Sequence, residues 1–160
     1  MKKFSVILFS VLLSVMVFGC NKTVNTEPKK VTYDRDLCER CKMQLVDRYH
    51  SAQIVNPEDG KSYPFDDLGC AVLWLDETTP AWKDKALIYI TDGKDGSWVE
   101  HKNAYYAEGY NTPMSFGIAA FNSKDKLDEG KTLITYEQAR DIIRNIKIQR
   151  SHNKNGSMHN

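Results

Sequence analysis

Three consecutive segments decide the fold of this chain: His50-Ser-Ala-Gln-Ile-Val-Asn56, Pro57-Glu-Asp-Gly60 and Lys61-Ser-Tyr-Pro-Phe65. The first segment alternates in polarity and carries the β-branched Ile54 and Val55, while the second is rich in turn-forming residues. The third is another short run of strand type. The three segments together therefore predict a β-hairpin.

A helix and a third strand are predicted after the hairpin. Asp66 or Asp67 can cap the helix, which ends near Glu77. Its apolar residues recur at helical spacing on one face, namely Leu68, Ala71, Val72 and Leu75. An apolar strand is predicted over 86–91, and Asp92-Gly93 stops it. The order of elements in this half is β-β-α-β.

The second half repeats this order with weaker turn signals. Strands are predicted over 103–108, 116–121 and 132–134, with a short helix over 123–129. A final helix opens at Thr135, which can form a capping box with Gln138. Its apolar residues face inward: Ala139, Ile142, Ile143 and Ile146. We therefore predict an α+β fold of two related ββαβ halves packed as one small domain, with a C-terminal helix.

The first residues have the pattern of an export signal. Lys2 and Lys3 precede an apolar run from Phe4 to Phe18, and Gly19 stands before Cys20. This run is shorter than the roughly twenty apolar residues of a transmembrane helix. It resembles a bacterial lipoprotein signal peptide over 1–19, after which Cys20 would be lipidated. An ordinary secretory signal and an uncleaved anchor are the alternatives.

The mature chain divides into three predicted parts. A polar stretch over 20–35 is typical of a flexible lipid-anchored tether, 36–148 forms the folded domain, and 149–160 is a polar tail predicted to be disordered. Loss of the signal peptide, with its two lysines, moves the formal charge from +1 to −1. This charge gives no basic excess for binding nucleic acid.

A cluster of sulfur donors lies at Cys38, Cys41 and Met43. Thiolate and thioether are soft ligands and suit Cu(I) better than the harder divalent ions. The spacing of Cys38 and Cys41 also fits a redox pair, a disulfide or half of a zinc site. A thioredoxin-like site is disfavoured because the motif precedes the first predicted strand. Cys70 lies on the apolar helix and is predicted to be a core residue.

Five segments match the pattern of a known family in its order and spacing: Cys41-Lys-Met43, Ile90-Thr-Asp-Gly-Lys-Asp-Gly-Ser-Trp-Val99, Ala104-Tyr-Tyr106, Asn111-Thr-Pro-Met-Ser-Phe-Gly117 and Ala119-Ala-Phe121. With the export signal, they make the chain from about residue 36 to about 146 resemble NosL. This family consists of copper-chaperone lipoproteins associated with the assembly of nitrous oxide reductase. The chain departs from the family pattern in two places where glycine is common, at Lys42 and at Ser115 after the methionine.

The resemblance implies a fold of two ββαβ halves and a role in carrying Cu(I) outside the cytoplasm. It also implies that Cys41 and Met43 are metal ligands, joined by Met114 of the T-P-M segment. Whether Cys38 is a further ligand or only forms a reversible disulfide with Cys41 stays open. Nitrogen donation from His50 or His101 also stays open.

The sequence therefore predicts a membrane-anchored Cu(I) metallochaperone of the bacterial cell envelope, facing the periplasm or the cell exterior. Its partners would be the copper ion, the membrane and a client copper enzyme, nitrous oxide reductase, or the membrane assembly complex of that enzyme. No Ser-His-Asp set, carboxylate pair or phosphate loop indicates an enzyme. The alternatives are a thiol-disulfide oxidoreductase that uses Cys38 and Cys41, and a structural lipoprotein.

Overall fold

The computed structural model describes residues 23–156. In this range the strands are β1 (Ala52–Val55), β2 (Ser62–Phe65), β3 (Leu87–Thr91), β4 (Trp98–Glu100), β5 (Tyr105–Glu108), β6 (Ile118–Phe121) and β7 (Thr132–Ile134). The α-helices within residues 23–156 are α1 (Leu68–Thr78) and α2 (Tyr136–Gly156). Single 3-10 turns occupy Lys83–Lys85, His101–Asn103 and Lys124–Lys126.

The strands form two antiparallel sheets, with orders β2-β1-β3-β4 and β6-β5-β7. In the first sheet β1 lies between β2 and β3. In the second sheet β5 lies in the same way between β6 and β7. The predicted α+β class is confirmed. The strand β4 is not among the predicted elements, and it extends the first sheet.

The helix predicted over 123–129 is wrong, because the chain makes only a 3-10 turn at Lys124–Lys126. Its residues include no apolar stripe that could cover a sheet, and none of the three residues in the turn is buried. The C-terminal helix α2 instead packs against β5 and against α1. Its predicted inward residues Ala139 and Ile143 are fully buried.

Helix α1 lies at the centre of the domain, where it contacts β1 and β2, the second-sheet strand β6 and α2. Its predicted apolar face is confirmed by the burial of Leu68, Ala71, Val72 and Leu75. The cap is Asp67, whose side chain accepts a hydrogen bond from the Gly69 N–H at 2.8 Å. The capping box of α2 is also confirmed, with Thr135 and Gln138 bonded reciprocally at 2.8 and 3.2 Å.

The described part of the predicted tether, residues 23–35, lies against the first sheet, which corrects that prediction. The buried Gln53 side chain accepts from the Lys29 N–H at 2.9 Å and donates to the Lys29 carbonyl at 2.7 Å. Tyr89 donates to the Thr26 carbonyl at 3.2 Å. A glutamine side chain carries both a carbonyl acceptor and an NH₂ donor. It can therefore bond to the N–H and the C=O of one residue, as a neighbouring β-strand does. Composition alone does not reveal this pairing.

Helix α2 is longer than predicted, since it continues to Gly156 through most of the stretch predicted as a disordered tail. Residues 157–160 lie outside the described range, as do the predicted signal peptide and Cys20. Within 23–156, neither helix has the length and apolar character needed to cross a bilayer.

Asp76 joins the two helices and gives a testable pH dependence. Its carboxylate accepts from the Arg144 guanidinium at 2.8 and 3.1 Å and from Lys83 at 3.0 Å. The Arg144 hydrogen bonds, followed by those of Lys83, lower the pKa of Asp76 to about 2. An unfolded Asp titrates near 3.9. The stabilisation is therefore present above about pH 4 and is lost as the pH falls through about 2.

We expect Asp76→Asn to lower the free energy of unfolding by about 1 kcal/mol at pH 7, a value reduced by solvent screening. The difference from the wild type should shrink towards zero near pH 2. Urea unfolding at several pH values measures it, with the exposed Asp125→Asn as the control. A difference that grows on acidification would contradict the assignment.

Candidate metal centre

The Cys-x-x-Cys-x-Met segment forms a tight loop before the first sheet. An isolated antiparallel bridge pairs Leu37 with Gln44. Inside it, the Cys38 N–H donates to the Met43 carbonyl at 2.8 Å, and the Lys42 N–H donates to the Cys38 carbonyl at 2.9 Å. Lys42 is left-handed, with φ 60°. These bonds hold all three sulfur-bearing residues within one turn of chain.

The loop is fastened to the domain by two contacts. Arg40 makes a bidentate ion pair with Glu77 of α1, with both N···O distances 2.9 Å. The Glu39 N–H donates to the Pro64 carbonyl of β2 at 2.8 Å. Glu77 lies two helical turns after Cys70 and therefore on the same face of α1. The ion pair thus brings the loop over the face of α1 that carries Cys70.

Cys38, Cys41 and Cys70 come together as a result, and their Sγ atoms lie within 4.8 Å of one another. Cys38 and Cys70 are fully buried, whereas Cys41 is half-buried. All three are free cysteines. We refer to them as the thiol cluster, which can hold a metal ion. In the described part of the chain, no His, Asp or Glu joins the cluster.

The prediction that Cys70 is a buried core residue is confirmed, and the structure adds a second feature of this side chain. It is buried, as expected, but its sulfur belongs to the thiol cluster. Its separation from Cys38 in sequence fits no metal-ligand motif. The odd number of cysteines left for an exported chain is the one signal that could have indicated a role for it.

Hydrogen bonds and burial give the three thiols of the cluster different pKa values. The Cys70 thiol donates to the Cys38 sulfur, which lowers the pKa of Cys38, and the Cys41 N–H adds to this effect. The same bond, together with burial, raises the pKa of Cys70. Burial raises the pKa of Cys41. The Arg40 guanidinium beside the Cys70 sulfur supplies positive charge next to the cluster.

The two predicted methionine ligands differ in exposure. Met43 is 55% exposed and follows Cys41 by two residues in the tight loop. Met114 is half-buried and packs against the core cluster that includes Cys38 and Cys70. The structure therefore places Met43 at the surface beside Cys41, and Met114 against the interior.

Asp67 ties the Met114 loop to the start of α1. Its second carboxylate oxygen accepts from the Thr112 hydroxyl at 2.6 Å and from the Met114 N–H at 3.2 Å. The Asp67 carbonyl accepts from the Cys70 N–H at 3.0 Å. One capping residue therefore connects the Thr112-Pro113-Met114 segment with the first turn of α1, where Cys70 lies.

His101 does not join the thiol cluster, and neither does His50, the other nitrogen donor left open by the sequence. Its Nδ1 lies 2.8 Å from an Asp47 carboxylate oxygen. The imidazole therefore has a partner on its own loop.

Comparison with protein-family models and with curated proteins gives no match for this chain. The fold and the site define a small α+β domain with a cluster of three cysteines that can hold a metal ion.

Proposed function

We propose that this protein is an extracytoplasmic, lipid-anchored Cu(I) metallochaperone. Its cargo would be delivered to a copper enzyme, for which the resemblance to NosL suggests nitrous oxide reductase or its membrane assembly complex. The observation that carries the proposal is a thiol cluster whose Sγ atoms lie within 4.8 Å of one another. Membrane anchoring rests on the sequence pattern that ends at Cys20.

The donor set favours Cu(I) over the other ions that bind thiolates. Soft sulfur ligands select Cu(I), Zn(II) and iron–sulfur clusters, but a structural zinc site takes four ligands in a closed tetrahedron. The cluster has three cysteines, and no imidazole or carboxylate completes it among residues 23–156. Three sulfurs suit the low coordination number of Cu(I).

The exposure of the donors suits a protein that passes its metal on. Cys38 and Cys70 are buried, but Cys41 is half-buried and Met43 is 55% exposed. A sulfur donor from a partner could approach the site from this side. Transfer requires such an approach, because the incoming ligand must bind before the outgoing ligands release the ion.

The two departures from the family pattern are compatible with the resemblance. Lys42 has φ 60° and Ser115 has φ 55°. Both residues adopt the left-handed conformation that glycine reaches most easily. The backbone therefore has the shape that a glycine would favour at each position, although the side chain differs.

A thiol-disulfide oxidoreductase fits the geometry less well. Such enzymes use an accessible cysteine of lowered pKa as the attacking thiolate. Here the thiol of lowered pKa, Cys38, is fully buried, while the more accessible Cys41 has a raised pKa. A purely structural disulfide is not favoured either, because all three cysteines are free.

Titration of the reduced mature protein with Cu(I), against a chromophoric Cu(I) chelator, tests the proposal. We expect saturation at one equivalent, and Cys41→Ser should weaken binding at least 100-fold. Val46→Ala, at an exposed position on the same segment, is the matched control and should bind like the wild type. Unchanged Cu(I) binding in Cys41→Ser would refute the site, and tighter retention of Zn(II) than of Cu(I) would refute the copper assignment.

Delivery needs a separate test. Copper-loaded protein should restore activity to copper-free nitrous oxide reductase, alone or with its membrane assembly complex, faster than the same amount of chelated Cu(I) does. Equal rates from both sources would contradict the proposed client.

A further inference from the structure

We infer that copper uses two overlapping donor sets that share Cys41: an inner set of Cys38, Cys41 and Cys70 that stores the ion, and an outer pair of Cys41 and Met43 that hands it over. The inference rests on the proposed function, and it assigns Cys70 a role as ligand. It also assigns storage of the copper ion and transfer of the ion to different residues of one site.

The inner set is built for tight retention. Two of its three sulfurs are fully buried, and all three lie within 4.8 Å of one another. Cu(I) held by three thiolates carries a net charge of −2, and a buried charge of that size needs compensation. Arg40 lies beside the Cys70 sulfur and is held there by its bidentate pair with Glu77. The Arg40 guanidinium therefore places a fixed positive charge beside the cluster.

The outer pair is built for access. Met43 is 55% exposed, although a methionine is normally buried in a core of this size. It follows Cys41 by two residues in the loop that the Cys38 N–H to Met43 carbonyl bond closes at 2.8 Å, so the two residues are held near each other. Exposed apolar side chains on the same segment are Leu37, Val46 and Tyr49. Met43 thus puts a thioether side chain at an exposed part of the loop that holds Cys41.

The transfer is a ligand exchange with no change of oxidation state. The bonds from copper to the Cys38 and Cys70 sulfurs break as bonds to the Met43 thioether and to a sulfur donor of the acceptor form. Copper remains Cu(I) throughout, and the released thiolates take up protons from water. Cys41 stays bound until the acceptor supplies a further ligand and replaces it.

Two variants with opposite expected signatures test the inference. Cys70→Ala should weaken the Cu(I) affinity, measured by chelator competition, at least 100-fold and should speed copper transfer to excess bathocuproine disulfonate. Met43→Leu should change the affinity less than threefold but slow that transfer about tenfold. Val46→Ala serves as the control for both measurements, and a thermal melt of each variant establishes that it is folded.

X-ray absorption on the copper-loaded wild type provides a measurement that no folding defect can disturb. We expect three sulfur ligands, and the same three in Met43→Leu. Should Met43→Leu lose a sulfur ligand and as much affinity as Cys70→Ala, the protein has one mixed thiolate–thioether site, and the inference is overturned while the copper function stands. Failure of the wild type to bind Cu(I) at all would instead overturn the proposed function.

Discussion

Asp67→Ala is expected to lower the free energy of unfolding by about 3 kcal/mol, the largest of the stability effects we predict. Asp67 is fully buried and accepts hydrogen bonds from Gly69, Thr112 and Met114. Losing a helix cap costs about 1 kcal/mol, and each buried donor left without a partner costs roughly 1–3 kcal/mol. Partial relaxation of the loop keeps the total near the lower end of that sum.

Urea unfolding followed by tryptophan fluorescence measures the loss. Asp67→Asn keeps one acceptor oxygen and should lose about half as much, while the exposed Asp125→Ala should be within about 0.5 kcal/mol of the wild type. Stability equal to the wild type in Asp67→Ala would show that the Thr112-Pro113-Met114 segment is not held by this carboxylate.

The same variant has a consequence for the metal centre. Asp67 is the link between the Met114 loop and the first turn of α1. If Met114 contributes to copper binding as the resemblance implies, Asp67→Ala should weaken Cu(I) affinity under conditions where the protein remains folded. Met114→Leu then provides the matched comparison, since it removes the thioether and leaves the loop bonded to Asp67.

Gly69→Ala is expected to destabilise the protein by about 2 kcal/mol, although alanine normally stabilises a helix by up to about 1 kcal/mol relative to glycine. A Cβ at this position would lie 2.1 and 2.2 Å from ring atoms of Phe116. Phe116 is itself buried, so the ring has little room to move away. A loss of stability in Gly69→Ala, rather than a gain, would therefore show that the loop over 114–116 packs closely against α1.

A double-mutant cycle that combines Gly69→Ala with Phe116→Leu checks the cause. The smaller leucine side chain should leave more room for the added methyl group, so that the double variant is more stable than the sum of the two single changes by about 1 kcal/mol. Asn145→Ala, at an exposed position of α2, is the control, because it places alanine in a helix without a buried neighbour. Strict additivity in the cycle would mean that the ring does not cause the loss.

Local patterns in the sequence are enough to predict most of the fold. The hairpin of β1 and β2, the apolar face of α1 and the Thr135 capping box each depend on residues a few positions apart. Alternation, helical spacing and capping leave a signature at that range. The helix over 123–129 is wrongly predicted because its charge-rich residues stand where a repeat of the first half would place a second copy of α1.

Contacts between distant residues could not be predicted in the same way. Gln53 pairs with Lys29, and the pairing turns a polar stretch of tether-like composition into a segment fixed on the sheet. Arg40 pairs with Glu77, and Asp67 with Thr112. Each contact joins residues that are far apart in the sequence, and no periodic pattern predicts such a pair. The pairs form only when the sheets and α1 pack together.

The sequence by itself determined which donor types stand on the loop, because the sulfur side chains of Cys38, Cys41 and Met43 are soft ligands whatever the fold. The tertiary structure alone decided the membership and exposure of the site. It brought Cys70 on α1 to the loop, buried Cys38 and left Met43 at the surface. The physical reason is that ligand type is a property of single side chains, whereas coordination and access depend on how the loop packs against the helix.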